Sequence, residues 1–108
     1  MVDKRDVKKE IAADVKAHRI LMYVKGSRQF PQCGFSKAVM DIFDKMGAQY
    51  ETRDVLSDPE LREEIKQFTH WPTIPQVFID GEFIGGCDIV RDLYSKGELQ
   101  SKVQKNKS

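Results

Sequence analysis

Gln76-Val77-Phe78-Ile79-Asp80-Gly81-Glu82-Phe83-Ile84 is the stretch that decides how the rest of the chain folds. Asp80-Gly81 sits between two apolar runs, and an Asp-Gly pair in that setting is among the strongest short-range signals of a β-hairpin. The chain therefore contains an antiparallel pair of strands. Immediately upstream, Trp71-Pro72-Thr73-Ile74-Pro75 breaks any helix, because each proline fixes its own φ and pushes its predecessor toward extended backbone. Trp71 reads as an anchor for that loop. Downstream, Gly85-Gly86 ends the second strand, and Cys87-Asp88 opens a helix that carries Ile89, Val90, Leu93 and Tyr94 and stops at Gly97. A Gly-Gly bend at a helix start exposes N–H groups that can hold an anion; the same residues also read as a plain turn with Asp88 as N-cap. A last short helix bears Leu99 and Val103, and residues 104–108 form a polar tail.

Working back from the hairpin, Leu61, Ile65 and Phe68 form the stripe of a helix that Ser57 or Asp58 can cap, with Pro59 in its first turn. Arg62 and Lys66 are i, i+4 neighbours on that helix. They read either as surface cations paired with Glu63 or Glu60, or as a fork for a carboxylate; the spacing admits both. Tyr50 to Val55 alternates imperfectly and fits an edge strand with one wet face. Before it, Phe35, Ala38, Val39, Ile42, Phe43 and Met46 recur with helical period, and Gly47 stops the run.

That periodicity places Cys33, in Gln32-Cys33-Gly34-Phe35-Ser36, at a helix N-terminus. Unpaired backbone N–H groups and the positive end of the helix dipole favour an anion there, so the thiolate of Cys33 is stabilised. A thiolate is a nucleophile and a soft metal ligand. The position three residues on is Ser36, not a second cysteine, so the short disulfide of a Cys-x-x-Cys motif cannot close. Earlier still, Ile20-Leu21-Met22-Tyr23-Val24 is apolar without interruption, as suits a strand buried on both faces in the manner of parallel sheets. Lys25 falls at its carboxyl end, the edge where open α/β sheets bind ligands, and shares that rim with Cys33. Residues 3–18 read as a helix packed through Val7, Ile11 and Val15, with Lys4, Lys8, Lys9 and Lys16 solvated.

The whole is 108 residues, enough for one domain and one core. A net charge of +1 gives no global field that argues for nucleic acid. No apolar run approaches the roughly 20 residues that cross a bilayer, and the first residues show no apolar signal region. Two cysteines are too few for a disulfide framework and point to a reducing compartment: bacterial cytoplasm, mitochondrial matrix or plastid stroma. His18 and His70 have no ligand spacing and read as surface residues.

The order helix, strand, helix, strand, helix, hairpin, helix, helix is a thioredoxin-like α/β arrangement, a mixed sheet of four strands flanked by helices. Four segments in this order, Lys25-Gly26-Ser27, Pro31-Gln32-Cys33-Gly34-Phe35-Ser36, Trp71-Pro72-Thr73-Ile74-Pro75-Gln76 and Gly85-Gly86-Cys87-Asp88-Ile89-Val90, together resemble the monothiol, CGFS-type glutaredoxins. The likeness runs from about Ile20 to Leu99. It implies a cis bond before Pro75 and a glutathione groove beside Cys33. Lys25 and Arg62 would hold the glycine carboxylate of glutathione, with Lys66 nearby. The backbone of Ile74, next to Thr73, would pair with the cysteinyl unit, and Cys87 and Asp88 would hold the γ-glutamyl end.

The resemblance further implies a 2Fe-2S cluster. Held by thiolates, such a cluster needs four sulfur ligands. Cys33 is the one metal ligand expected from each chain, so two chains and two glutathiones would complete the set in a cluster-bridged homodimer. Apo iron-sulfur proteins would receive the cluster, and a BolA-like protein would be a mixed-dimer partner. Two other readings stand beside this carrier: a glutathione-dependent thiol-disulfide oxidoreductase acting through Cys33, and an adaptor in which Cys33 is buried and inert. Cys87 reads as groove lining or as a resolving thiol for Cys33.

Overall fold

A computed structural model describes residues 5–104. The elements run α1 (Val7–Ala17), β1 (Ile20–Val24), α2 (Gly34–Lys45), β2 (Glu51–Asp54), α3 (Pro59–Thr69), β3 (Gln76–Ile79), β4 (Glu82–Gly85), α4 (Cys87–Ser95) and α5 (Glu98–Gln104). The strands form one mixed sheet in the order β2-β1-β3-β4. β1 is parallel to β2 and antiparallel to β3, and β3 turns through Asp80-Gly81 into antiparallel β4. Among the described residues no helix is long and apolar enough to cross a membrane.

The unbroken apolar run of β1 follows from its place in the centre. Side chains alternate across a strand, so Ile20, Met22 and Val24 enter the core under α2, α4 and α5, beside Val39, Phe43, Val90 and Leu99. Leu21 and Tyr23 enter the core on the other face, beside Ile11, Val15 and Ile65 of α1 and α3. Every residue of the strand is buried. Full burial of such side chains stabilises the fold by roughly 1.5–3 kcal/mol each. Total burial here belongs to the middle strand of a mixed sheet, because only its β2 side is parallel.

Local signals set the helix boundaries. Asp58 caps α3 by accepting from the Leu61 N–H, and Pro59 follows in the first turn. Arg5 reaches both Glu10 and Asp58 through paired hydrogen bonds of 2.7 to 2.9 Å, joining the entry of α1 to the start of α3. The N-terminal helix begins at Val7, later than the 3–18 span expected, because Asp6 caps it by accepting from the Lys9 N–H. The parts of that expectation at residues 3 and 4 lie outside the described residues, as does the tail at 105–108. Gln104 closes α5 and is not part of a tail.

Two expectations from periodicity need correction. Phe35, expected on the apolar stripe of α2, is 59% exposed. It stands in the first turn of the helix and lines a groove instead. Ile89 on α4 is likewise exposed, at 39%.

Candidate functional site: a thiol groove at the sheet edge

At the carboxyl end of β1 the chain makes a short loop held by its own backbone and by the side chains of Ser27 and Asp54. The Gln32 N–H donates to the Lys25 carbonyl at 2.9 Å, and the Ser27 N–H to the Phe30 carbonyl at 3.2 Å. Ser27 Oγ in turn accepts from the Phe30 N–H. Gly26, at φ +94°, donates to Asp54 Oδ1 at 2.9 Å, and that same oxygen accepts from the Leu56 N–H at 2.8 Å. One carboxylate thus ties the loop to the end of β2. The Arg28 guanidinium lies 4.2 Å above the Tyr50 ring and 3.5 Å from Asp44, fastening the far side of the loop.

The loop delivers Cys33 as the N-cap of α2, with extended backbone and a half-buried side chain. Partial burial works against its thiolate. The N–H groups of Ser36 and Phe35, the Ser36 hydroxyl and the charge of Lys25 outweigh that cost, and the pKa falls below the ordinary thiol value. The inert, buried cysteine of the adaptor reading does not match this environment. Ser36 itself is fully buried, and its Oγ accepts from the Lys25 N–H at 3.1 Å. Read in the sequence as a missing cysteine, it is a strut between strand end and helix start.

A groove of about 430 Å³ opens beside Cys33. All eight residues expected from the sequence line it: Lys25, Cys33, Arg62, Lys66, Thr73, Ile74, Cys87 and Asp88. Phe35, Trp71, the two loop prolines and Gly86 complete the wall. Three chain segments far apart in sequence therefore converge on one thiol. Of the two readings of Arg62 and Lys66, surface pairing is weakly represented: Lys66 Nζ lies 3.9 Å from Glu63, and among the described residues Arg62 has no ion-pair partner. Both cations face a groove with room for a carboxylate.

The opposite wall begins at the peptide bond between Ile74 and Pro75, which is cis. Trp71 stacks edge-on against Phe83 at 5.7 Å, as expected of an anchor. Gln76, not among the expected site residues, is fully buried and bonded to this loop. A polar residue in an apolar strand was the one signal that could have marked it. Across the groove, Gly86 caps α4 and Asp88 sits inside its first turn, which corrects the alternative of Asp88 as the cap. Cys87 is buried and free. Burial pushes its thiol pKa up; Arg91 opposes, while the charges of Asp88 and Cys33 add to the rise.

The two thiols are thus tuned in opposite directions, and this has a direct consequence. Because alkylation needs the thiolate, the reaction of Cys33 with iodoacetamide persists to lower pH than that of free cysteine, whereas Cys87 reacts only at higher pH. Peptide mapping of the alkylated protein across a pH series checks both inflections. A shared inflection for the two cysteines would contradict the assignment.

A larger concavity of about 790 Å³ lies at the other end of the sheet, between the C-termini of α1 and α2 and helix α5, and holds neither cysteine. His18 borders it, half-buried, its Nε2 3.3 Å from Arg53. His70 is exposed at the end of α3. Among the described residues no three His, Cys, Asp or Glu side chains form a ready-made metal cage.

Comparison with known proteins agrees with this geometry. The family model described as Glutaredoxin matches residues 20–84. A monothiol glutaredoxin of Synechocystis sp. is 46% identical over 92% of this chain and 92% of its own length. The solution structure of reduced poplar apo GrxS14 is 42% identical, with a TM-score of 0.81 over 92% of this chain and 91% of that one. A buckwheat glutaredoxin solved as its glutathione complex is 26% identical, with a TM-score of 0.83 over 92% and 88% of the two chains. The single cysteine at the start of α2, the cis-proline loop and these likenesses agree: the chain belongs to the glutaredoxin family, among its monothiol members.

Proposed function

We propose that this chain binds glutathione in the groove beside Cys33 and carries a 2Fe-2S cluster as cargo between two copies of itself, passing it to apo iron-sulfur proteins. The observation that carries the reading is the unequal state of the two thiols on one groove. Cys33 is accessible with a lowered pKa, while Cys87 is buried with a raised one. One chain therefore offers one good thiolate. A thiolate-held cluster needs four sulfurs, and two Cys33 thiolates with two glutathione thiolates supply them. The groove fits the tripeptide on electrostatic grounds: Lys25, Arg62 and Lys66 gather positive charge at one end, and the start of α4 presents N–H groups at the other.

In this reading Lys25 and Arg62 hold the glycine carboxylate, with Lys66 adding charge. The Ile74 backbone, beside Thr73, pairs with the cysteinyl unit. Cys87 lines the γ-glutamyl end, and Asp88 answers its ammonium. The glutathione complex of the buckwheat relative supports the choice of ligand. A BolA-like protein would take the place of one copy in a mixed dimer. Half of the ligands being exchangeable small molecules makes the cargo easy to release.

The lowered pKa of Cys33 also serves a second reading, glutathione-dependent thiol exchange. There the Cys33 thiolate attacks the glutathione sulfur of a protein-glutathione mixed disulfide, and the protein leaves as its thiolate. A second glutathione thiolate then attacks the Cys33 disulfide, regenerating Cys33 and forming glutathione disulfide.

Anaerobic reconstitution with ferrous iron, sulfide and glutathione, followed by visible absorption and sizing, separates the two. The carrier reading expects charge-transfer bands together with a dimer, both lost when glutathione is omitted. A colourless monomer that turns over a glutathionylated substrate would leave thiol exchange as the function.

A further inference from the structure

Among the described residues, the buried polar side chains are Ser36 and Gln76, both sealed from solvent. Burying a polar group is unfavourable unless its hydrogen bonds are made, so each is informative about what it holds. Ser36 holds the strand end beside Cys33. Gln76 stands across the groove at the first position of β3, directly after Pro75.

The Gln76 carboxamide bonds to nothing in the sheet. Its Nε2 donates to the Trp71 carbonyl at 2.9 Å and to the Thr73 carbonyl at 3.1 Å. Its Oε1 accepts from Thr69 Oγ1 at 2.8 Å. Thr69 Oγ1 lies 3.0 Å from the Ile65 carbonyl and accepts from the Trp71 N–H at 3.2 Å, so the end of α3 joins the same network. Only an NH₂ group can satisfy two carbonyls at once, which sets the orientation of the amide by chemistry. A leucine would fill similar space with none of these bonds. The network therefore shapes one thing, the backbone from Trp71 to Thr73, which runs along the groove wall into Ile74.

We infer that Gln76 is a positioning residue for glutathione: its buried carboxamide holds the Trp71 to Ile74 backbone in the form that meets the cysteinyl unit. The inference rests on the reading of the groove as a glutathione site. It differs from that reading in naming a residue that touches no ligand and acts only through the loop.

Gln76→Glu is the informative variant, because it keeps the size and replaces two donors by an oxygen facing two carbonyls. Glutathione affinity is measured by calorimetry on the reduced apo protein, and amide hydrogen exchange is followed at Trp71, whose N–H donates to Thr69 Oγ1 and the Lys66 carbonyl. Wild-type binding is established first; its absence would overturn the glutathione reading and this inference with it. The expected result is a loss of affinity of tenfold or more, with exchange at the Trp71 amide at least tenfold faster and the Cys33 alkylation rate unchanged. Affinity returns in part as pH falls through the pKa of the introduced carboxyl, since the protonated acid is again a donor, of one hydrogen where the amide gave two. Wild type does not share that profile. Thr69→Val, which removes the hydroxyl that meets Gln76 Oε1 and the Trp71 N–H but leaves both carboxamide donations in place, is expected to weaken binding about threefold and supplies the test if Gln76→Glu does not fold. Unchanged affinity in either folded variant, or faster exchange without weaker binding, would reduce Gln76 to a structural residue and overturn the inference.

Discussion

Cys33→Ser brings cluster formation down to the level of buffer without protein, while Cys87→Ser keeps most of it. A serine hydroxyl in place of Cys33 stays protonated at neutral pH and is a hard oxygen donor, so neither the nucleophile nor the soft ligand survives. The helix start and the Ser36 and Phe35 N–H groups remain, but they act on a group that does not ionise. Cys87 is different in kind. Its side chain is 8% exposed and its thiol is pushed toward the protonated form, so at neutral pH it offers little thiolate to lose. Visible absorption after reconstitution, normalised to protein, measures both variants. Equal loss from the two would mean that Cys87 is a ligand or an obligatory thiol, and the count of one thiolate per chain would fail. A Cys33–Cys87 disulfide is excluded separately if mass spectrometry of oxidised wild-type protein shows no crosslink.

Gly26→Ala is the substitution outside the cysteines with the largest expected effect, a loss on the order of 3 kcal/mol of stability through backbone strain and steric conflict. Two costs add at this position. At φ +94° an L side chain is strained wherever it stands, and here a Cβ would also lie 2.5 Å from the Phe30 carbonyl oxygen and 2.7 Å from the Gln32 nitrogen. Both are backbone atoms of the loop that delivers Cys33, and neither can swing aside. Relief requires the loop to open, which breaks the Gln32 to Lys25 bond and displaces the thiol. Gly47→Ala isolates the first cost. Its φ is +69° with nothing within 4 Å of the added Cβ, so it loses only about 1 kcal/mol through the left-handed conformation. Denaturant unfolding of the two variants measures the difference, and equal losses would show that contact with the loop carries no weight. Cys33 alkylation should slow in Gly26→Ala and stay unchanged in Gly47→Ala.

On the proposed reading, the groove gives a chain with so little net charge a local field suited to a small anionic peptide. Net charge is near zero, yet Lys25, Arg62 and Lys66 come from a strand end and a helix that meet only in the folded state. Local field, set by where cations converge, matters here and total charge does not. The same convergence leaves Phe30 and Phe35 exposed, at 74% and 59%, on either side of Cys33 in the sequence.

Much of this architecture is written in short-range patterns. Asp80-Gly81 between apolar runs specifies the hairpin, because the turn needs only what two residues can do. Asp58-Pro59 starts α3 for an equally local reason, a side-chain acceptor followed by a preset φ. The helical period from Val39 to Phe43 and the continuous apolarity of β1 mark what is buried, and with them the placing of Cys33 at a helix start. Period alone misjudged Phe35. It reports which side of a helix is apolar and says nothing of where the sheet beneath it ends.

Tertiary structure decided the rest. Whether Arg62 and Lys66 pair with neighbouring glutamates or face a groove depends on Lys25 and Cys33, far away in sequence and beyond the reach of i, i+4 spacing. The opposite tuning of two chemically identical thiols comes from burial and from N–H groups brought together by folding. Ser36 and Gln76 acquire their roles only when a strand end, a helix start and a proline loop arrive within hydrogen-bonding distance of them. Turns, caps and amphipathic periods are energies of neighbouring residues and can be read along the chain. Groove charge, thiol pKa and buried hydrogen-bond networks are energies between distant residues, and they exist only once the packed sheet brings those residues together.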